Sequence, residues 1–276
     1  MIQIQNVDFH YKKKTPLFQA LDLNIPAGNI YGLLGKNGAG KTTLLKLIGG
    51  LIFPKSGGIE VMGFKPENRF PAFLSDIFFM PEELYIPNIK ISTFEKIYSP
   101  FYPKYSAEQF QKYLEEFAIP KDKKFTGLSQ GQKKKALLGF GLATNSRLMI
   151  LDEPTNGLDI PSKSMFRKLI ARAITDEQTC IISTHQVRDM GDLMDPIIIL
   201  DGGKIIFQNS VEAIAQKLQF EVTYSRGEPD EVLYAERVPG GYMVVKENLD
   251  GEETEVDIEV FFNAMMANQE VIQKLF

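Results

Sequence analysis

Two stretches of this chain place phosphate-handling groups at chemically useful spacing. The run Gly35-Lys36-Asn37-Gly38-Ala39-Gly40-Lys41-Thr42, continued by Thr43, follows the apolar stretch Ile30 to Leu34 and opens a helical pattern ending at Ile48. Glycines here let backbone N–H groups turn toward phosphate oxygens, and the helix N-terminus adds the positive end of its dipole. Lys41 is spaced to reach outer phosphates and the Thr42 hydroxyl to ligate Mg²⁺, the arrangement of a P-loop. The second stretch, Leu148-Met149-Ile150-Leu151-Asp152-Glu153, ends an apolar strand on adjacent carboxylates. Ligands of open α/β sheets bind beyond such carboxyl ends. Successive strand residues face opposite ways, so Asp152 is expected in the Mg²⁺ shell beside Thr42 and Glu153 beside a water near the terminal phosphate.

A rigid sheet has to hold these groups. From Met1 to about Gln208, short β-like runs alternate with helical patterns, as in an α/β domain around a largely parallel sheet. Asn29 to Leu34, Ile77 to Met80, Leu148 to Asp152, Thr179 to Ser183 and Pro196 to Leu200 are the expected sheet strands. Ile2 to Phe9 and Leu17 to Ile25 read as an antiparallel flap ahead of them. Between Ser92 and Phe125 the composition shifts toward aromatics and Lys/Glu. We read a helical insertion there, with Tyr98, Phe101, Phe110, Tyr113 and Phe117 as its core. The tail alternates at Phe220 to Tyr224, Val232 to Glu236, Tyr242 to Val245 and Glu255 to Ile258, then turns helical at Val260 to Ala267. The run Lys133-Lys134-Lys135 reads as a solvated face, because cations in the first turn of a helix oppose its dipole.

The chain has 276 residues, 44% apolar and 24% charged, which supports a packed core and disfavours disorder. Its formal net charge of −4 argues against a surface built to neutralise nucleic-acid phosphates, so no nucleic-acid partner is expected. The single Cys180 cannot form an intrachain disulfide, and the opening residues lack the order of a signal peptide, pointing to a reducing, cytoplasmic setting. The most apolar runs fall short of the roughly 20 residues that span a bilayer, so any membrane crossing is left to another chain.

Taken together, the motifs resemble the ATP-binding-cassette (ABC) ATPase family. Leu128-Ser129-Gln130-Gly131-Gln132 is similar to its LSGGQ signature loop, with Gln130 in place of the first Gly of the pair. Gly157-Leu158-Asp159 is similar to its D-loop, His185 to its switch histidine and Tyr11 to the aromatic that stacks on adenine. In Met80-Pro81-Glu82-Glu83, Glu82 stands where the family usually has the Gln of the Q-loop. The resemblance covers about residues 1 to 210. It implies a P-loop ABC ATPase core at 1–215 with an N-terminal antiparallel β-subdomain and a helical subdomain at about 85–145; the alternating tail beyond it reads as a small C-terminal α+β domain at 216–276.

The resemblance also assigns roles. ATP would contact Tyr11, the loop Gly35, Lys36, Asn37, Gly38, Ala39, Gly40, Lys41, Thr42 and Thr43, Glu82 and Asp159, while the signature loop with Ser129, Gly131 and Gln132 would close the site from a second subunit in a head-to-tail dimer. Thr42, Asp152 and Glu82 would ligate Mg²⁺; Glu153, His185 and Lys41 would be the catalytic groups. The implied function is the ATP-hydrolysing subunit of a transporter whose membrane-spanning permease is a separate chain, peripheral on the cytoplasmic face. The Pro-Glu-Glu form is similar to ATPases of certain bacterial exporters, favouring export. Two alternatives are a soluble ABC ATPase of DNA repair or translation and a regulatory ATP-binding module. The first usually carries a coiled-coil insertion or two cassettes, and this sequence shows neither.

Overall fold

A computed structural model of the chain describes residues 1–226 and 232–276. Strands β1 (Ile2–Phe9), β2 (Phe18–Ile25) and β4 (Ser56–Val61) form an antiparallel sheet in the order β2-β1-β4. Six further strands make the central sheet: β3 (Ile30–Leu34), β5 (Ile77–Met80), β6 (Leu148–Asp152), β7 (Thr179–Thr184), β8 (Ile197–Asp201) and β9 (Lys204–Asn209). Their order is β5-β6-β7-β3-β8-β9, and all pairings are parallel except the edge hairpin β8/β9. The expected main-sheet strands therefore form within a residue or two at each end; β4 and β9 are additions that the sequence reading lacked.

Period-two alternation divides the buried strands between two cores. Leu33, Ile150, Ile181 and Ile198 face one core, shared with the N-terminal sheet and with helix α1 (Lys41–Ile48). Leu34, Leu151, Ile182 and Ile199 face the other. That second core is covered, after a short helix α2 (Pro71–Leu74), by α3 (Ile91–Tyr98), α4 (Ala107–Glu116) and α5 (Gln130–Ala143). Of the aromatics expected inside the helical region, Phe110, Tyr113 and Phe117 are buried. Phe101 is 66% exposed and Tyr98 37%, because they flank the short turn that ends α3 rather than face its packed stripe.

Helix α5 contains Gly139 and Gly141, residues that weaken an isolated helix. Close approach explains Gly141: a Cβ there would lie 2.2 Å from the Phe78 ring of β5. The glycine lets the helix sit directly on the sheet.

Helix α6 (Ile160–Ala173) joins β6 to β7, and α7 (Val211–Lys217) leads into the tail. There β10 (Leu218–Thr223), β11 (Tyr234–Val238) and β12 (Gly241–Glu247) form an antiparallel sheet in the order β10-β12-β11, followed by α8 (Ile258–Ala267) and α9 (Gln269–Gln273). The expected strand at Glu255 to Ile258 is instead the approach to α8, whose N-cap Asp257 accepts hydrogen bonds from the amides of Glu259 and Val260. Leu218, Val245, Phe261 and Ile272 join the second core of the central sheet. Phe261 and Phe276 also pack against Phe207 of β9, with ring centroids 4.8 and 5.0 Å from it, so the tail covers the face of this edge strand that belongs to the second core.

Candidate functional site

The carboxyl ends of β3, β6 and β7 lie side by side, with β7 between the other two. Gly35 leaves β3 so close to β8 that a Cβ would sit 2.4 Å from the Leu200 carbonyl oxygen. Gly38 and Gly40 take positive φ values of 82° and 110°, conformations that turn the loop back on itself before α1 begins. A cleft of about 380 Å³ opens here, lined by Tyr11, Leu17, Lys36, Asn37, Gly38, Gly40, Lys41, Thr42, Thr43, Glu82 and Glu153. Most of the expected nucleotide contacts are thus gathered in one concavity. Gly35 and Ala39 shape the loop without lining it, and Leu17, at the end of the β1–β2 connection, carried no chemical signal that would have singled it out.

Lys41 is buried, and its Nζ donates to the carbonyl oxygens of Gly35 at 2.7 Å and Lys36 at 3.4 Å. Its ammonium also lies 3.6 Å from Glu153 Oε1. Tyr11 is 65% exposed, held edge-on to Phe9 and with its hydroxyl 3.1 Å from Thr43 Oγ1. Its ring is therefore free to meet a planar ligand at the mouth of the cleft.

The two acids at the end of β6 diverge for a reason that alternation alone does not supply. Asp152 ends the strand, 1% exposed, and accepts a 2.6 Å hydrogen bond from the Ser183 hydroxyl of β7. Glu153 has left the strand with φ 45°, in the left-handed region. Its N–H donates to both the hydroxyl and carbonyl oxygens of Ser183, at 3.1 and 3.2 Å. Its carboxylate meets His185, with Nδ1 2.8 Å from Oε1. His185 does not line the cleft; it reaches it through Glu153.

Glu82 Oε1 accepts a 2.9 Å hydrogen bond from the side-chain amide of Asn156, a residue with no part in the sequence reading. Lys134 differs from its expected setting. It is 6% exposed, with Nζ donating to the carbonyl oxygens of Glu153 at 3.0 Å and Asn156 at 2.7 Å. Burial pushes its ammonium below the ordinary lysine range, while the carboxylates of Glu82, Glu153 and Asp152 pull it back up. The triple-lysine run splits because a helix of 3.6 residues per turn sends consecutive side chains about 100° apart.

Ser129, Gly131, Gln132 and Asp159 are not among the residues lining the cleft. Ser129 N-caps α5 in a capping box: its hydroxyl accepts from Gln132 N at 3.2 Å, and Gln132 Oε1 accepts from Ser129 N at 3.1 Å. Asp159 N-caps α6 through the Ser162 amide, and hydrogen bonds from Ser162 hold its carboxyl below the usual range.

For a metal ion, Thr42, Glu82 and Asp152 supply only hard oxygen donors, a set that fits Mg²⁺, which takes one or two carboxylates and completes its shell with phosphate oxygens and water. Thr42 and Glu82 share the cleft, while Asp152 stands behind it at the end of β6.

The sequence profile of the ABC transporter family matches residues 18–156. Among similar proteins, the ABC transporter ATP-binding protein YtrB of Bacillus subtilis (strain 168) is 31% identical over 67% of this chain, which spans 64% of that protein. The molybdate import ATP-binding protein MolC of Haemophilus influenzae is 32% identical, over 72% of this chain and 79% of that protein. A solved dimeric ATP-binding cassette in a post-hydrolysis state, bound to ADP and Pi, matches 76% of this chain and 99% of its own with a TM-score of 0.67; at 21% identity it shows a common fold. The chain belongs to the ABC transporter family and carries that family's ATPase cassette.

Proposed function

We propose that this chain hydrolyses Mg-ATP in a site completed by a second copy, and that the cycle energises export through separate membrane-spanning chains. The observation that carries the reading is the placement of Glu153 at the P-loop cleft, between Lys41 and His185. Lys41 and the loop amides bind the outer phosphates. Glu153 orients the attacking water and takes its proton as the water oxygen bonds to the γ-phosphorus and the bond to ADP breaks. His185 holds the Glu153 carboxylate through Nδ1 and would contact the γ-phosphate from beside that acid. Tyr11 stacks on adenine. Thr42, Asp152 and Glu82 would hold Mg²⁺, which when bound would neutralise phosphate charge.

Ser129, Gly131, Gln132 and Asp159 act on the partner's nucleotide in a head-to-tail dimer. Their position outside their own cleft supports this, as does Ile160, an apolar side chain 84% exposed directly after Asp159. Among the described residues, no helix is long and apolar enough to cross a membrane. Tyr85, Ile97 and Phe101 expose apolar surface on the helical subdomain, which fits docking on a permease at the cytoplasmic face of the membrane. The Pro81-Glu82-Glu83 form supports export; MolC, named for import, makes a flux measurement necessary. We divide the chain into the nucleotide-binding domain 1–215, with its helical subdomain at about 85–145, and an accessory domain 216–276.

Light scattering tests the composite site. With Glu153→Gln, Mg-ATP is expected to shift the protein from monomer to dimer and ADP is not, because bound γ-phosphate is what Ser129 and Gly131 recognise. Adding Ser129→Arg is expected to abolish the shift at unchanged ATP binding, with cap loss lowering stability by only about 1 kcal/mol. Dimers that form equally with ADP would overturn the reading.

A further inference from the structure

Lys134 raises a question that the phosphate chemistry leaves open. Burying an ammonium is costly unless it is fully partnered, and this one is partnered by backbone carbonyls rather than by an ion pair. Both carbonyls belong to the turn after β6. Glu153 occupies the left-handed region there, a conformation that non-glycine residues keep only when their surroundings enforce it. Ser183 of β7 grips its N–H, and Lys134 of α5 grips its C=O. Asn156, whose carbonyl takes the second Lys134 hydrogen bond, uses its side chain to hold Glu82.

We propose that Lys134 is a positioning residue for hydrolysis: one buried ammonium on the signature helix fixes the backbone that aims Glu153 at the attacking water and, through Asn156, the carboxylate of Glu82. The inference rests on the reading of Glu153 as the group that handles this water. It also gives α5 a double function. The helix presents Ser129 at its start and holds Glu153 from its second turn, so a displacement of α5 on docking against a partner's nucleotide reaches the catalytic group of its own subunit.

The test compares Lys134→Met, which keeps an unbranched side chain and loses all donors, with Lys134→Gln, of the same reach, which offers an amide with two N–H groups; both end one bond short of the ammonium. In the full chain, Lys134→Met is expected to lower kcat for ATP roughly ten- to a hundredfold, the scale of a small misplacement of a catalytic group. KM and the calorimetric ATP affinity stay within about twofold. Lys134→Gln recovers part of kcat. Amide hydrogen exchange across 153–158 is expected to accelerate in Lys134→Met, a readout independent of turnover. Unchanged kcat in Lys134→Met beside an inactive Glu153→Gln would overturn the proposal. So would a parallel loss of melting temperature, ATP affinity and kcat with no recovery in Lys134→Gln, which is the behaviour of an ordinary core residue. If Lys134→Met does not fold, Lys134→Gln read together with hydrogen exchange carries the comparison: reduced kcat at unchanged KM with faster exchange across 153–158 supports the role, and wild-type kcat despite that faster exchange removes it. Full turnover in Glu153→Gln would instead remove the Glu153 reading, and faster exchange across 153–158 in Lys134→Met would still establish the clamp.

Discussion

The Glu153 carboxylate joins two elements of the site through one oxygen: Oε1 stands 3.6 Å from Lys41 Nζ and 2.8 Å from His185 Nδ1. A carboxylate so placed can hold the P-loop lysine and the histidine in register before nucleotide arrives. Glu153→Gln keeps the shape and one acceptor but cannot take a proton. ATP binding is therefore expected to persist while turnover falls roughly 10²- to 10⁴-fold. Rapid phosphate release by the variant would remove Glu153 from the chemistry.

Lys41→Ala should act on binding. Its ammonium braces the loop through the Gly35 and Lys36 carbonyl oxygens and lines the cleft where phosphates are expected. Loss of a charged hydrogen bond of about 1.5–3 kcal/mol weakens ATP affinity roughly ten- to a hundredfold. Calorimetry on the two proteins decides it, and equal affinities would refute the assignment.

Glu82→Gln keeps a carbonyl acceptor for the Asn156 amide and removes a negative charge from the cleft, so it is expected to be well tolerated. Glu82→Ala leaves that amide without its partner and should reduce ATP turnover roughly three- to tenfold, the equivalent of one ordinary hydrogen bond. An alanine variant as active as the glutamine variant would place Glu82 outside the working site.

Gly141→Ala tests how α5 is seated. Alanine favours helix by up to about 1 kcal/mol, yet its Cβ would meet the Phe78 ring at 2.2 Å. Overpacking of this kind costs roughly 1–3 kcal/mol, so a net loss of stability is expected in urea unfolding. A stabilised variant would show that the helix and β5 can move apart freely.

By itself the sequence disclosed the parts whose chemistry is local. A phosphate loop needs its glycines, lysine and threonine in consecutive positions, so Gly35 to Thr43 declare themselves wherever the chain goes. Fully buried parallel strands are near-continuous apolar runs, and each of those expected for the main sheet is present. The weaker strands escaped notice: β4 carries Gly57 and Gly58, and β9 alternates only in part at the sheet edge.

Tertiary structure alone decided what depends on residues distant in sequence. Lys133, Lys134 and Lys135 are the same residue type in consecutive positions, and only the packing of α5 against the turn after β6 makes Lys134 a buried ligand of two carbonyls. Glu153 was legible as an acid at a strand end, but its left-handed turn is hydrogen-bonded to Ser183, thirty residues away in sequence, and to Lys134. Glu82 and Asn156 meet across seventy-four residues. Sequence spacing specifies groups within one turn or strand; which partner orients each group is fixed only when the sheet sets β6 beside β7 and lays α5 across their ends.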